Sequence, residues 1–107
     1  MTYLEVWRSI EYAPYFAISN KGRVQALLSG EVMAEEVDED EGLVGVFLTD
    51  ERGQYFFVPI DILVVEAFIG PTDDMEEIHH IDGDPWNNEV WNLRPCLSWW
   101  TDCNDCE

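Results

Sequence analysis

Two adjacent histidines, His79 and His80, head the run Ile81-Asp82-Gly83-Asp84-Pro85-Trp86-Asn87-Asn88-Glu89-Val90-Trp91-Asn92-Leu93. Imidazole is the side chain best suited to taking a proton from water near neutral pH, and it is also a common metal ligand. Asp and Asn supply the hard oxygens that hold magnesium or a similar cation. A histidine, a carboxylate-rich turn and asparagines at this spacing therefore point to metal-assisted phosphodiester hydrolysis. A structural account of the same residues stays open. In it Asp82 and Asp84 bond their own backbone around Gly83, and the histidines only pack.

The elements that must position this run are short. Residues 3–10 read as a strand or extended segment with Trp7 turned inward. Residues 15–18 and 23–27 read as paired strands around the turn Ser19-Asn20-Lys21-Gly22. Residues 31–41 then hold seven acids and no base, the signature of a solvated loop. Residues 43–48 and 54–58 make the strongest hairpin in the chain, turning over Asp50-Glu51-Arg52-Gly53. Pro59 suits the start of a helix, with Asp61 near its positive end. Residues 60–68 are apolar nearly all round, as a buried helix requires. Gly70-Pro71 closes that helix, and a second acidic cluster with Asp73, Asp74, Glu76 and Glu77 leads into the histidines.

His80-Ile81-Asp82-Gly83 with Asn87-Asn88 and Asn92-Leu93 resembles the core of phage HNH homing endonucleases. Upstream, Glu5-Val6-Trp7-Arg8 and the run from Tyr15 through Ser19-Asn20-Lys21-Gly22 to Val24 resemble the nuclease-associated modular DNA-binding motif that often precedes that core. A middle segment also matches, in Gly45-Val46-Phe47-Leu48, Arg52-Gly53 and Leu63-Val64-Val65-Glu66-Ala67-Phe68. The resemblance implies His80 as general base, Asn92 as a residue that helps hold it, and a DNA substrate. It also implies an α+β fold of small antiparallel hairpins, one main buried helix and a ββα-metal-like C-terminal part. The expected organisation is a single domain over 1–107. Within it, 1–30 is like the modular motif, 42–101 is like the HNH core, and 102–107 is an acidic tail.

The departures from that pattern bear on activity. The metal-binding Asp or Asn that commonly precedes the histidine is here His79. The family's spacing beyond Asn92 brings the second ligand to Thr101, with Asp102 and Asn104 nearby. Pro95 interrupts a strand that relatives continue. Asp61-Ile62 stands where relatives carry a His-Arg pair, and Asp84-Pro85 where they often carry a lysine. By this reading the catalytic set is not intact: His79, His80 and Asn92 are its vestiges, no metal or other cofactor is bound, and the acidic form is degenerate. The alternative is an active nickase with His80 as base and Mg2+ held by His79, Asp82 and Asp102.

Charge points the same way. The chain carries 23 acids against 5 bases, a net charge of −18 with a sequence pI near 4.1. Phosphate neutralisation by cations supplies most DNA affinity, so this balance opposes direct binding to nucleic acid. Eighteen negative charges match about 30 Å of duplex, at one charge per about 1.7 Å. The expectation is therefore a non-enzymatic, phage-encoded DNA mimic. It would occupy the basic cleft of a host DNA-binding protein or nuclease, as an anti-restriction or anti-CRISPR inhibitor does. Glu35, Glu36, Asp38, Glu39, Asp40, Glu41, Asp73, Asp74, Glu76, Glu77, Asp82 and Asp84 would replace phosphates. Trp86, Trp91, Trp99 and Trp100 stand either as contact points or as core.

The other features are bland. No run of eighteen apolar residues and no cleavable signal pattern is present, so a cytoplasmic protein without a membrane partner is expected. Cys96, Cys103 and Cys106 are odd in number and read as reduced thiols. Cys103-x-x-Cys106 is at most half a zinc site, and Asp82-Gly83-Asp84 is too short for a calcium loop. A homodimer is compatible with all of this.

Overall fold

Ser19 organises the first sheet. Fully buried, its hydroxyl accepts from the backbone N–H of Lys21 (3.1 Å) and Arg23 (3.2 Å), folding the chain back at Asn20–Gly22. This turn joins β2 (Ala13–Ser19) to β3 (Val24–Ala26), and β1 (Trp7–Ile10) pairs on the other side of β2, all antiparallel. The computed structural model describes residues 4–40, 42–70 and 75–97, with backbone only for 75–77 and 96–97. Among these, regular pairing begins at Trp7, which is half-buried beneath the Arg23 guanidinium, 5.5 Å from its ring. A cation over the indole face lets a tryptophan stay partly wet, which the alternation of apolar residues alone did not indicate.

The acidic stretch corrects a sequence expectation. Residues 36–38 are a strand, not a loop: β4 (Glu36–Asp38) adds antiparallel to β5 (Leu43–Thr49), with Val37 opposite Val44. The backbone groups of β5 need a partner on that side, and ladder bonds do not depend on side-chain charge. Acids on an edge strand also discourage further pairing. β5 and β6 (Tyr55–Pro59) form the expected hairpin, with Phe47 and Phe57 meeting edge to face at 5.2 Å. Val44, Gly45, Val46 and Leu48 of β5 are buried. A side chain at Gly45 would lie 2.4 Å from the Val58 carbonyl oxygen, so β5 and β6 approach there as only glycine permits.

α1 (Ile60–Phe68) follows Pro59 directly, its N-cap extended at φ −62° and ψ 137°. Ile60, Leu63, Val64 and Val65 are buried and pack with Ile18, Val24, Leu48 and Leu93 into one core. Its C-terminal end is closed by Arg8 of β1, whose guanidinium donates to the Ala67 carbonyl at 2.5 Å and lies 4.8 Å from the Phe68 ring. A cation bonded to a terminal carbonyl satisfies that orphan group and complements the helix dipole. The third sheet pairs β7 (Met75–His80) with β8 (Leu93–Leu97), entered through a 3-10 turn at Val90–Asn92. Pro95 does not interrupt it. Lying opposite Ile78 in a two-stranded sheet, it has room to turn its missing N–H away from the ladder.

The fold is thus α+β, small antiparallel hairpins with one main buried helix. No helix among the described residues is long and apolar enough to cross a membrane. Trp86 is 51% exposed and Trp91 half-buried, while Trp99 and Trp100 lie outside the described residues. The close approach at Gly45 predicts that Gly45→Ala destabilises the protein by about 1–3 kcal/mol through overpacking. Chemical denaturation measures this, and an unchanged midpoint would mean that the two strands part freely.

Candidate active site

The His80 loop is built from asparagines. After β7 the chain turns tightly, with the Gly83 N–H donating to the His80 carbonyl at 2.9 Å. Asp82 is the acceptor at the centre of the turn. Its Oδ1 accepts from the Asp84 N–H (2.8 Å) and from Asn92 Nδ2 (3.0 Å), and its Oδ2 accepts from Asn87 Nδ2 (2.7 Å). These bonds, led by Asn87, hold its carboxyl below the ordinary aspartate value of 3.8. Asp84 accepts in turn from the Trp86 N–H at 2.9 Å. The structural account of this turn is therefore correct for both aspartates, which the mimicry expectation counted among the phosphate substitutes.

Asn92 locks the far side. It is 6% exposed, donates from Nδ2 to Asp82 and to the Asn87 carbonyl (2.8 Å), and accepts the Asp82 N–H on Oδ1 (3.1 Å). A buried amide satisfied in this way cannot turn without leaving polar groups unpaired. No bond from Asn92 to His80 is seen. The histidine is held instead by Asn88, 3% exposed, whose Oδ1 lies 2.7 Å from His80 Nε2. The Asn88 amide is oriented by its own donation from Nδ2 to the Pro85 carbonyl at 3.2 Å. Its oxygen therefore faces the ring, Nε2 carries the hydrogen, and Nδ1 keeps the lone pair a base requires.

Asp61 and His79 remain to be placed relative to His80. Asp61, in the first turn of α1, lies near enough for its charge to interact with that of His80. Burial raises its carboxyl above the ordinary value, only partly offset by the Ile62 N–H (2.7 Å to Oδ1) and by His80. The sequence placed Asp61 favourably by its helix position, but desolvation outweighs that effect here. His79 points the other way. Alternation along β7 turns it to the face opposite His80, where Arg94 of β8 stands directly across.

Residues 59–96 match the HNH endonuclease family. The chain is also similar in structure to the HNH homing endonuclease I-HmuI, which binds and cleaves DNA. That likeness has a TM-score of 0.73 and 26% sequence identity, over 86% of this chain and 52% of that one. The chain thus spans about half the length of that endonuclease. No curated protein sequence matches it. The His80 turn, α1, β7 and all of β8 but Leu97 fall within the matched segment.

Among the described residues no three His, Cys, Asp or Glu side chains come close enough to share an ion. Of the trio considered for Mg2+, His79 faces away from His80, Asp82 is engaged by three N–H donors, and Asp102 lies outside the described residues. Thr101 and Asn104 lie outside them too. Of the acidic residues expected to meet a partner, Glu35, Glu36, Glu39 and Asp40 are exposed and Asp38 is half-buried. Nothing is described for Glu41, Asp73 and Asp74, nor for the side chains of Glu76 and Glu77. The cysteine pair at 103 and 106 is likewise outside.

Sequence reasoning missed three contributors: Asn88 as the histidine's partner, Asp61 as its charged neighbour, and the turn at Asn20–Gly22 that lies against the loop. Asn88 was visible in the motif, but no spacing rule separates its role from that of Asn92. Because Asp61 is disfavoured as an anion by the fold, it lowers stability as pH rises from the ordinary value of 3.8 through its raised value, and fully above that. Asp61→Asn, which keeps an acceptor for Ile62, is expected to raise the melting temperature by a few degrees at neutral pH and not near pH 3. Asp82 has the opposite sign: its contribution is present above 3.8 and fades as pH falls through its lowered value. Thermal melts of wild type and variant across pH measure both.

Proposed function

We propose that this chain is an HNH-type nuclease module whose His80 accepts a proton from water through Nδ1 during cleavage of a DNA phosphodiester bond. The observation that carries this reading is the His80–Asn88 bond at 2.7 Å, which directs the ring and leaves one nitrogen basic. A base held in its tautomer by a buried amide is in position to act without reorganising. The match of residues 59–96 to HNH endonucleases and the likeness to I-HmuI support the same assignment. The N-terminal sheet corresponds, in this reading, to the DNA-binding module of related nucleases. No step is assigned to a metal, since the described residues do not gather its ligands.

A second reading rests on one observation, the net charge of −18. Arg8 and Arg23, two of the five bases, are engaged internally by α1 and by Glu5. What remains on the surface is strongly acidic, and such a surface is suited to a basic cleft rather than to DNA. In that reading the protein inhibits a DNA-binding protein as a mimic of its ligand.

Plasmid nicking with magnesium or manganese decides between them. The nuclease reading expects nicking that His80→Ala lowers by about 10²–10⁴-fold, the usual contribution of a general base. Asn88→Ala is expected to lower it as well, because the ring then loses the partner that selects its tautomer. Absence of nicking under low salt, together with displacement of duplex from a basic DNA-binding enzyme, would overturn it in favour of mimicry.

A further inference from the structure

We infer that Gly22 and Asn20, in the turn between β2 and β3, are positioning residues for His80, acting through the backbone of Asn88. The inference rests on the assignment of His80 as the base. The turn is far from the histidine in sequence, yet it meets the histidine loop in space. The Asn20 carbonyl accepts the Val90 N–H at 2.8 Å, two residues beyond Asn88. Gly22 lies against Asn88 itself: a Cβ added there would stand 2.8 Å from the Asn88 carbonyl oxygen and 3.0 Å from its Cβ.

Neither side of this contact can yield alone. Asn20 is itself clamped, its Oδ1 accepting the Val6 N–H and its Nδ2 donating to the Leu4 carbonyl, each at 3.0 Å. Its own N–H donates to the Val6 carbonyl at 3.0 Å, so the turn is tied to the segment before β1. Asn88 is buried and its side chain is bonded at both ends, to His80 and to Pro85. Moving the Asn88 backbone therefore carries its amide oxygen away from Nε2. Gly22 serves two needs at once, since its φ of +80° also suits glycine.

That double role supplies the control. Gly53 has nearly the same backbone angle, φ +82°, but a Cβ added there would meet only open space. Gly22→Ala and Gly53→Ala thus carry similar backbone strain, and only the first presses on Asn88. The test is nitrogen-15 NMR of the histidine rings in the full chain at about pH 8, where an unperturbed imidazole is neutral. Wild type and Gly53→Ala are expected to show His80 as the Nε2–H tautomer. Gly22→Ala is expected to show a mixture of tautomers and, where nicking is measurable, a fall in kcat with KM little changed.

A folded Gly22→Ala protein with the wild-type tautomer would overturn the inference, as would equal changes in both glycine variants. If Gly22→Ala does not fold, Asn20→Ala replaces it, because it loosens the clamp without the clash. A normal tautomer in that variant then counts against the inference in the same way. The readout does not depend on cleavage. A protein that fails to nick DNA but shows the expected tautomers sinks the assigned activity and leaves the positioning role standing.

Discussion

A buried primary amide must find partners for its hydrogens and its oxygen, and the histidine loop depends on two such amides, Asn92 and Asn88. Asn92 fills its capacity with Asp82 and Asn87, fixing the path of the chain between β7 and β8. Asn88 divides its capacity between Pro85 and His80, turning the same kind of constraint into a choice of tautomer. In the interior an unmade hydrogen bond costs more than a made one contributes. The loop is therefore defined by the penalty on its alternatives. Asp82 supplies the oxygens that the surrounding N–H groups need, which accounts for its lowered pKa without reference to any metal.

Electrostatics place a different constraint on the molecule. An excess of eighteen acids repels itself, and the fold answers with local contacts rather than with a compensating basic face. Arg23 pairs with Glu5 while lying over Trp7, and Arg8 closes α1 from β1. Both cations hold the N-terminal sheet together or against the helix. This leaves fewer cations free at the surface to meet an anionic partner.

The three sheets do not contribute equally to the site. The second sheet and α1 form most of the core and fix where the helix begins, hence where Asp61 meets His80. The first sheet reaches the site through one turn, by a hydrogen bond from Val90 and a close approach at Gly22. Contacts this close couple the turn to the histidine loop, since packed interiors are stiff.

Local chemistry was legible in the residues themselves. The apolar run at 60–68 became α1 with the same bounds, the alternating hairpin at 43–58 became β5 and β6, and the turn residues at 19–22 and 82–84 turned as their types require. Such features depend on neighbours a few positions apart, which a sequence displays. The strand inside the acidic segment did not show, because ladder pairing is offered by the partner strand and not by the charges of β4. Nor did the choice of Asn88 over Asn92 as the histidine's partner, or the burial that raises Asp61. Each depends on distance and solvent access between segments far apart in the chain, and only the assembled fold sets those.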